Sequence, residues 1–384
     1  MKSWNVDYLL DDEEFIKNSI ITCCKSKLKN KRKNSGKYFL AKRILNNLDK
    51  YTAIIKKILK NKEYMPAKVR SFEYTEKHSK KVRTITTVPL FPDQIIHQII
   101  VNALKPILTR SFYEHSYASI PGKGTHKAKK YIEKSIRRRP RNFKYICKMD
   151  IEKCYKNISH NLLKDKFRKL LRGNKLYNLI CQTIDHYYDF KFQDDELGIP
   201  IGFSTSQWFC NFTLTEFDYY AKQTLGAKEY DRYMDDVMIA DSNKRILHQI
   251  KNKLIEFLSK KKLKVKSNYQ LFRFTYIPRN PEYDKNGKPK IRGKFLDFLG
   301  FKFYRFKTLI RKHIFISIIK QAKKIVERKS NVTFKIASSY ISRFSYVKHT
   351  NSFEMFNKYL KGVDIKRLKG VISNESRKYA IACC

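Results

Sequence analysis

Tyr233-Met234-Asp235-Asp236-Val237-Met238-Ile239 is where the fold of this chain is most readable. A short strand runs into adjacent acids at 235 and 236, and a second strand leaves through Val237 and Ile239, so the pattern predicts a β-hairpin with carboxylates at its turn. Alone, an Asp-Asp turn is ordinary, because short polar side chains satisfy turn backbone. A third acid changes its meaning. Residues 143–149 alternate Phe143, Tyr145, Cys147 and Met149 against Lys144, Ile146 and Lys148, a strand pattern that delivers Asp150 at its end.

The rest of the composition has the opposite sign. Among 384 residues, 83 are Lys or Arg and 35 are Asp or Glu, a formal charge of +48. Such a field excludes an ordinary metabolic enzyme and calls for a polyanion, most simply the phosphate backbone of nucleic acid. Because 42% of residues are hydrophobic and 14% aromatic, the chain can bury a sizeable core and is no disordered basic tether. With only 12 Gly and 10 Pro there is little room for low-complexity linkers, and two or three subdomains are expected to pack as one body. The N-terminal stretch carries the acidic run Asp11-Asp12-Glu13-Glu14 instead of a signal, and no long uncharged apolar run occurs, so a cytoplasmic, non-membrane protein is expected. Eight cysteines without a C-x-x-C pair read as reduced thiols.

Along the chain, residues 1 to about 60 read as basic helices, and Val69–Val88 as strands around a turn at His78-Ser79-Lys80. A helix follows Pro92 and Asp93, carries Ile95, Ile96, Ile99, Ile100 and Leu104, and is expected to stop before Pro106. Ser159 is placed to cap a helix through Leu163, Phe167 and Leu170. Gly198-Ile199-Pro200-Ile201-Gly202 breaks the chain before a helix from Ser206 to Asp218, and residues from about 313 read as three basic helices that could grip a duplex.

Clustered aspartates in a basic chain suit magnesium, which takes a few carboxylate oxygens and completes its shell with phosphate and water. Phosphoryl transfer uses two such ions about 3.5–4 Å apart.

The residues also resemble a known family. Tyr233-Met234-Asp235-Asp236 is similar to the signature hairpin of reverse transcriptases, and Met149-Asp150-Ile151-Glu152-Lys153-Cys154-Tyr155 to their first catalytic strand. Lys81-Val82-Arg83-Thr84-Ile85 resembles their fingers segment, Ser116-Tyr117-Ala118 with Gly122 to His126 the block that follows, and Phe298-Leu299-Gly300-Phe301 the primer-grip turn. Within that superfamily, Ile199-Pro200-Ile201-Gly202-Phe203-Ser204-Thr205-Ser206-Gln207-Trp208-Phe209 resembles the diversity-generating retroelement group, as do Lys266 to Phe272, Leu296 to Phe301 and Lys348 to Phe353.

The resemblance implies an α+β right-hand polymerase fold with a C-terminal helical thumb. The expected parts are a basic helical extension (1–60), fingers (61–142), a palm with finger-like insertions (143–312), and thumb and tail (313–384). It implies Asp150, Asp235 and Asp236 as catalytic metal ligands, helped by the backbone of Ile151, for two Mg²⁺ ions with Mn²⁺ as an alternative. Tyr155 becomes the gate against a 2′-hydroxyl, Arg83 and Lys81 grip the triphosphate, and Lys266 protonates departing pyrophosphate. Ile201, Gly202 and Gln207 line the nucleotide site, and Leu299 and Gly300 hold the primer. At Ile201 a glutamine would hydrogen-bond near the nascent pair, whereas isoleucine offers only shape, so fidelity at template adenine is expected to fall. The implied partners are a template or noncoding RNA, the cDNA or primer strand, dNTPs and an accessory protein. Two other readings stay open: a bacterial anti-phage enzyme making cDNA from a noncoding RNA or without a template, and an RNA-binding scaffold without turnover.

Overall fold

A computed structural model describes residues 3–28, 35–76, 81–186, 196–327 and 332–381. In chain order these form α1 (Glu13–Leu28), α2 (Gly36–Asn46), α3 (Leu48–Asn61), β1 (Arg70–Thr75), β2 (Val82–Thr87), α4 (Ile95–Ser111) and α5 (Thr125–Arg138). The central part runs β3 (Tyr145–Glu152), α6 (His160–Leu170), α7 (Lys175–Asp185), α8 (Ser204–Tyr219), β4 (Glu229–Tyr233), β5 (Asp236–Asp241), α9 (Lys244–Lys260), β6 (Lys264–Val265) and β7 (Gln270–Arg273). Then follow β8 (Leu296–Phe298), β9 (Phe301–Phe303), β10 (Thr308–Ile310), α10 (Lys312–Glu327), α11 (Phe334–Lys348), α12 (Phe353–Tyr359) and α13 (Ile365–Ile381). The chain divides into two compact units, one of Met1–Gly124, Lys148–Met238 and His248–Tyr269, the other of Thr125–Cys147, Ile239–Leu247 and Gln270–Cys384.

In the first unit α4 is buried on nearly all sides, against α1 and α8. It does not stop before Pro106 but runs through it to Ser111. A proline inside a helix costs about 3 kcal/mol through a lost hydrogen bond and a ring clash. Burying Ile107 and Leu108 in the following turn returns about 1.5–3 kcal/mol each, which offsets that cost and carries the helix on. Asn102, on the same helix, donates from Nδ2 to Ser19 Oγ of α1 at 2.9 Å.

The main sheet has the order β4-β5-β3-β6, with β7 also paired to β3. β3 continues to Glu152, so Asp150 sits inside the strand, not at its end. Antiparallel pairing of Ile151 with Val265 and Glu152 with Lys264 extends the strand beyond the alternating stretch. The Ser159 cap forms as expected, its Oγ accepting the Leu162 N–H at 3.4 Å. β1 and β2 make an antiparallel hairpin from Arg70 opposite Thr87 to Thr75 opposite Val82, and the expected turn residues His78, Ser79 and Lys80 lie outside the described residues.

That hairpin is fastened to the loop before α8. The Thr86 N–H donates to Ile201 O at 2.8 Å. At the next position Gly202 has φ +128°, and a Cβ there would come within 2.2 Å of Thr86 O. Only glycine tolerates both the backbone angle and the approach.

In the second unit β8, β9 and β10 form an antiparallel sheet in the order β10-β9-β8, with Leu299 (φ 56°) and Gly300 (φ 87°) at the β8–β9 turn. The C-terminal part holds four helices among the described residues where three were expected, because Phe353–Tyr359 folds into the short α12 between α11 and α13. α11 packs against both α10 and α13. Among the described residues no helix is long and apolar enough to cross a membrane. Cys23, Cys24, Cys147, Cys154, Cys181 and Cys210 are not joined in disulfides, and Cys383 and Cys384 lie outside the described residues.

Gly202→Ala tests the fastening. It is expected to cost about 1–3 kcal/mol of stability through backbone strain and the forced separation from Thr86. Gly226→Ala, at φ +63° with nothing within 4 Å of the added carbon, pays only the milder conformational cost of about 1 kcal/mol. Thermal denaturation of the two variants side by side reads the difference, and equal melting temperatures would contradict it.

Candidate active site

The β4–β5 turn is built from underneath. Arg232, on β4, is 0% exposed, and so is Asp218 near the end of α8. The guanidinium meets the carboxylate through both oxygens, Nε to Oδ1 at 2.6 Å and Nη2 to Oδ2 at 2.7 Å. Tyr230 donates to the same Oδ1 at 2.6 Å. The remaining nitrogen, Nη1, reaches Asn211 Oδ1 at 3.2 Å and the backbone carbonyl of Met234 at 2.9 Å. Asn211 is itself held by Ala118 O, to which its Nδ2 donates at 2.8 Å. Met234 has φ 56°, a left-handed conformation that is uncommon for a side-chain-bearing residue. Arg232 thus grips the carbonyl of the strained residue immediately before Asp235.

The two acidic strands are neighbours. The Ile151 N–H donates to Asp235 O at 3.0 Å, which lays the segment carrying Asp150 beside the hairpin turn. Burial first, then the charges of Asp150 and Asp236, push the Asp235 carboxyl up from its ordinary value, against the pull of Lys266. Lysines occupy the positions where cations are wanted: Lys266 Nζ forms an ion pair with Asp150, and Lys148 Nζ stands 3.9 Å from Asp236 Oδ1. The Lys266 N–H also donates to Asp150 O at 2.9 Å, which holds the residue just after β6 beside β3.

These carboxylates have the donor chemistry for a divalent ion, and their mutual repulsion is what such an ion relieves. Among the described residues, no three His, Cys, Asp or Glu side chains stand in a ready metal cage. Magnesium does not require one, since it keeps waters and takes oxygens from bound phosphate.

The other expected residues fall into two sets. Tyr155 joins the acids: its hydroxyl reaches Met234 Sδ at 3.5 Å, and burial, followed by nearby Cys210, Cys154 and Asp235, raises its pKa, with Arg83 pulling the other way. Arg83 lies on β2, ion-paired to Glu76. Lys81 is exposed immediately before that strand. Gly202 and Gln207 line a separate cavity of about 320 Å³ with Lys27, Lys37 and His97, while Ile201 is half-buried and tied through its carbonyl to Thr86. Leu299 and Gly300 belong to the second unit, where a Cβ on Gly300 would come within 3.1 Å of Ile314 and 3.2 Å of Tyr346.

Sequence reasoning missed Arg232, Asp218 and Asn211. No local signal marked them: β4 reads Glu229-Tyr230-Asp231-Arg232-Tyr233 and α8 carries Glu216 beside Asp218, so neither charge stands out from its neighbours.

A family model described as reverse transcriptase (RNA-dependent DNA polymerase) matches residues 75–303. Group II intron-encoded protein LtrA of Lactococcus lactis subsp. cremoris is 27% identical over 227 residues, covering 56% of this chain and 36% of that protein. Protein YkfC of Escherichia coli (strain K12) is 24% identical over 170 residues, 44% of each chain. The chain thus spans less than half the length of these curated relatives. Among solved structures, telomerase from Candida albicans in complex with a TWJ fragment of telomeric RNA aligns at a TM-score of 0.45 and 14% identity, over 84% of this chain and 61% of that one.

Two outcomes follow from the geometry. Arg232→Met leaves Asp218 buried and unpaired and is expected to cost about 3–5 kcal/mol, whereas Arg232→Met with Asp218→Leu regains most of the melting temperature. The double variant still lacks the clamp on Met234 and is expected to lose about 10²-fold in nucleotide addition. A double variant that recovers both properties would refute the positioning role. For Asp235→Asn, the melting temperature without divalent ions should exceed that of the unmodified protein at neutral pH. A carboxyl raised in the folded state costs stability above its folded pKa, and the cost fades as pH falls through that value, so the gain should shrink toward acid. A gain that grows on acidification would contradict the repulsion.

Proposed function

The chain belongs to the reverse transcriptase (RNA-dependent DNA polymerase) family, and from that premise we propose that it extends a DNA strand on an RNA template. The observation that carries the reading is the bond from the Ile151 N–H to Asp235 O, which brings acids from two strands to one place in a chain of charge +48. The family's right-hand polymerase fold supplies fingers and palm, and we assign the helices after residue 312 to a thumb.

Asp150, Asp235 and Asp236, with the main chain at Ile151, would hold two Mg²⁺ ions, Mn²⁺ being an alternative. When bound, these ions activate a 3′-hydroxyl and neutralise departing pyrophosphate. The chain's own residues do the rest. Arg232 fixes the backbone that aims Asp235. Lys266, ion-paired to Asp150, would hold a proton at Nζ for the departing pyrophosphate. Tyr155 sets its ring against the sugar and excludes a 2′-hydroxyl. Arg83 presents a planar fork to the triphosphate, with Lys81 beside it on the hairpin. Gly202 and Gln207, whose cavity also takes in Thr87 at the end of β2, are assigned to the nucleotide, and the Leu299–Gly300 turn to support of the primer.

Template or noncoding RNA, the growing cDNA and dNTPs are the proposed partners, joined by an accessory protein, and the proposed setting is cytoplasmic. The finer assignment, to error-prone copying in a diversity-generating retroelement, is supported by isoleucine at 201, which offers the nascent pair shape without a hydrogen bond.

Primer extension on an RNA template tests the reading. The unmodified protein should extend in Mg²⁺, and Asp235→Ala with Asp236→Ala should fall to background. Equal inactivity of both would leave a nucleic-acid scaffold. Sequencing the products tests the finer claim: Ile201→Gln should lower errors opposite adenine, and an unchanged spectrum would remove Ile201 from fidelity.

A further inference from the structure

The second unit contains a cationic cavity lined by none of the residues assigned to synthesis. It has a volume of about 440 Å³ and lies among the last turns of α5, the β9–β10 turn and the residues following α11. Its walls are cross-linked. Asn351 accepts the Thr308 N–H on its Oδ1 at 2.9 Å, and the Asn351 N–H donates to Thr308 O at 3.0 Å. Lys129 Nζ donates to His349 O and pairs with Glu133 at 2.8 Å, which consumes the acid of the cavity. The Arg305 N–H is anchored to Thr275 Oγ1 at 2.9 Å.

The remaining charge is positive and uncompensated. Among the described residues, Arg137, Arg305 and Lys307 have no carboxylate partner. The turn reads Tyr304-Arg305-Phe306-Lys307, aromatic and cation in alternation, and Phe306 is 64% exposed at its tip. An exposed aromatic among cations has one common use: a base stacks on the ring while phosphates meet the charges. Burial, and then Lys129, Lys130 and Lys348, lower the pKa of His349, so its imidazole is neutral near pH 7 and offers one donor and one acceptor. The volume lies within the range of about 300–1,000 Å³ typical of small-ligand clefts, room for one nucleotide but not for a duplex.

We propose that this cavity is a second nucleic-acid site, which takes an unpaired nucleotide of a single strand by stacking on Phe306 and binding its phosphates through Arg305, Lys307 and Arg137. The site holds a strand by a point outside the centre of synthesis, and it stands whether or not the acids of the first unit turn over.

The test uses the full chain and a fluorescein-labelled, unstructured 12-nucleotide strand, in RNA and DNA versions, with a saturating unlabelled primer–template hairpin present. Binding by anisotropy should persist under that competitor. Arg305→Ala with Phe306→Ala and Lys307→Ala should weaken it at least tenfold. The slope of log affinity against log salt should fall by about 1.4, about 0.7 for each of two lost phosphate contacts on a single strand. Primer extension on a short duplex should stay unchanged, so a failed cavity and a failed polymerase reading give different results. Phe306→Ala alone, at an exposed ring, keeps the test valid if the triple variant folds poorly, and should weaken binding severalfold. Lys244→Ala with Arg245→Ala and Lys253→Ala, which removes three exposed charges on α9, is the control for bulk charge. The RNA and DNA arms identify which strand is held, and tighter binding of either supports the site. Loss of all binding under the hairpin competitor would overturn the proposal, as would wild-type affinity in the cavity variants or an equal loss in the α9 control.

Discussion

The candidate site depends on one buried charge pair. Arg232 and Asp218 lie out of water, and each is tolerable there only because the other neutralises it through two hydrogen bonds. Such a pair is weak evidence of net stability, since apolar residues of like volume often do as well. Its value is directional. A planar guanidinium held on one edge by a carboxylate has its remaining nitrogen fixed in space, and that nitrogen meets the carbonyl of Met234. The left-handed backbone at Met234 is thereby held against its own preference.

Above this anchor the electrostatics run opposite to the chain as a whole. Three acids gather where the protein is otherwise strongly cationic, and burial first, then its acidic neighbours, raise the carboxyl of Asp235. Lys266 and Lys148 moderate it. The cluster trades stability for the capacity to accept cations, the bargain expected at a site whose geometry serves chemistry before folding.

Much of this was legible in the chain. The hairpin at 233–236 and the strand ahead of Asp150 follow from alternation, and the cap at Ser159 from local hydrogen bonding, all signals carried within a few residues. What stayed hidden was non-local. The end of α4 was misplaced because a proline's local penalty is visible in sequence while the burial of Ile107 and Leu108 is not. Arg232 read as one cation among 83, and only the fold distinguishes it by removing it from water beside Asp218. The division at Asp150 was nearly right, yet pairing with β6 carried the strand past it. The cavity lined by Arg305 and Lys307 draws on three distant stretches of chain, and no single window of sequence contains it.

The bond from Thr86 to Ile201, with Gly202 pressed against the same peptide, has a mechanical meaning. A lever and its fulcrum share one peptide group here: Thr86 on β2 is joined to the main chain at 201 without an intervening side chain. A displacement of Thr86 would therefore reach position 201 as a backbone shift, with no side chain between them to absorb it.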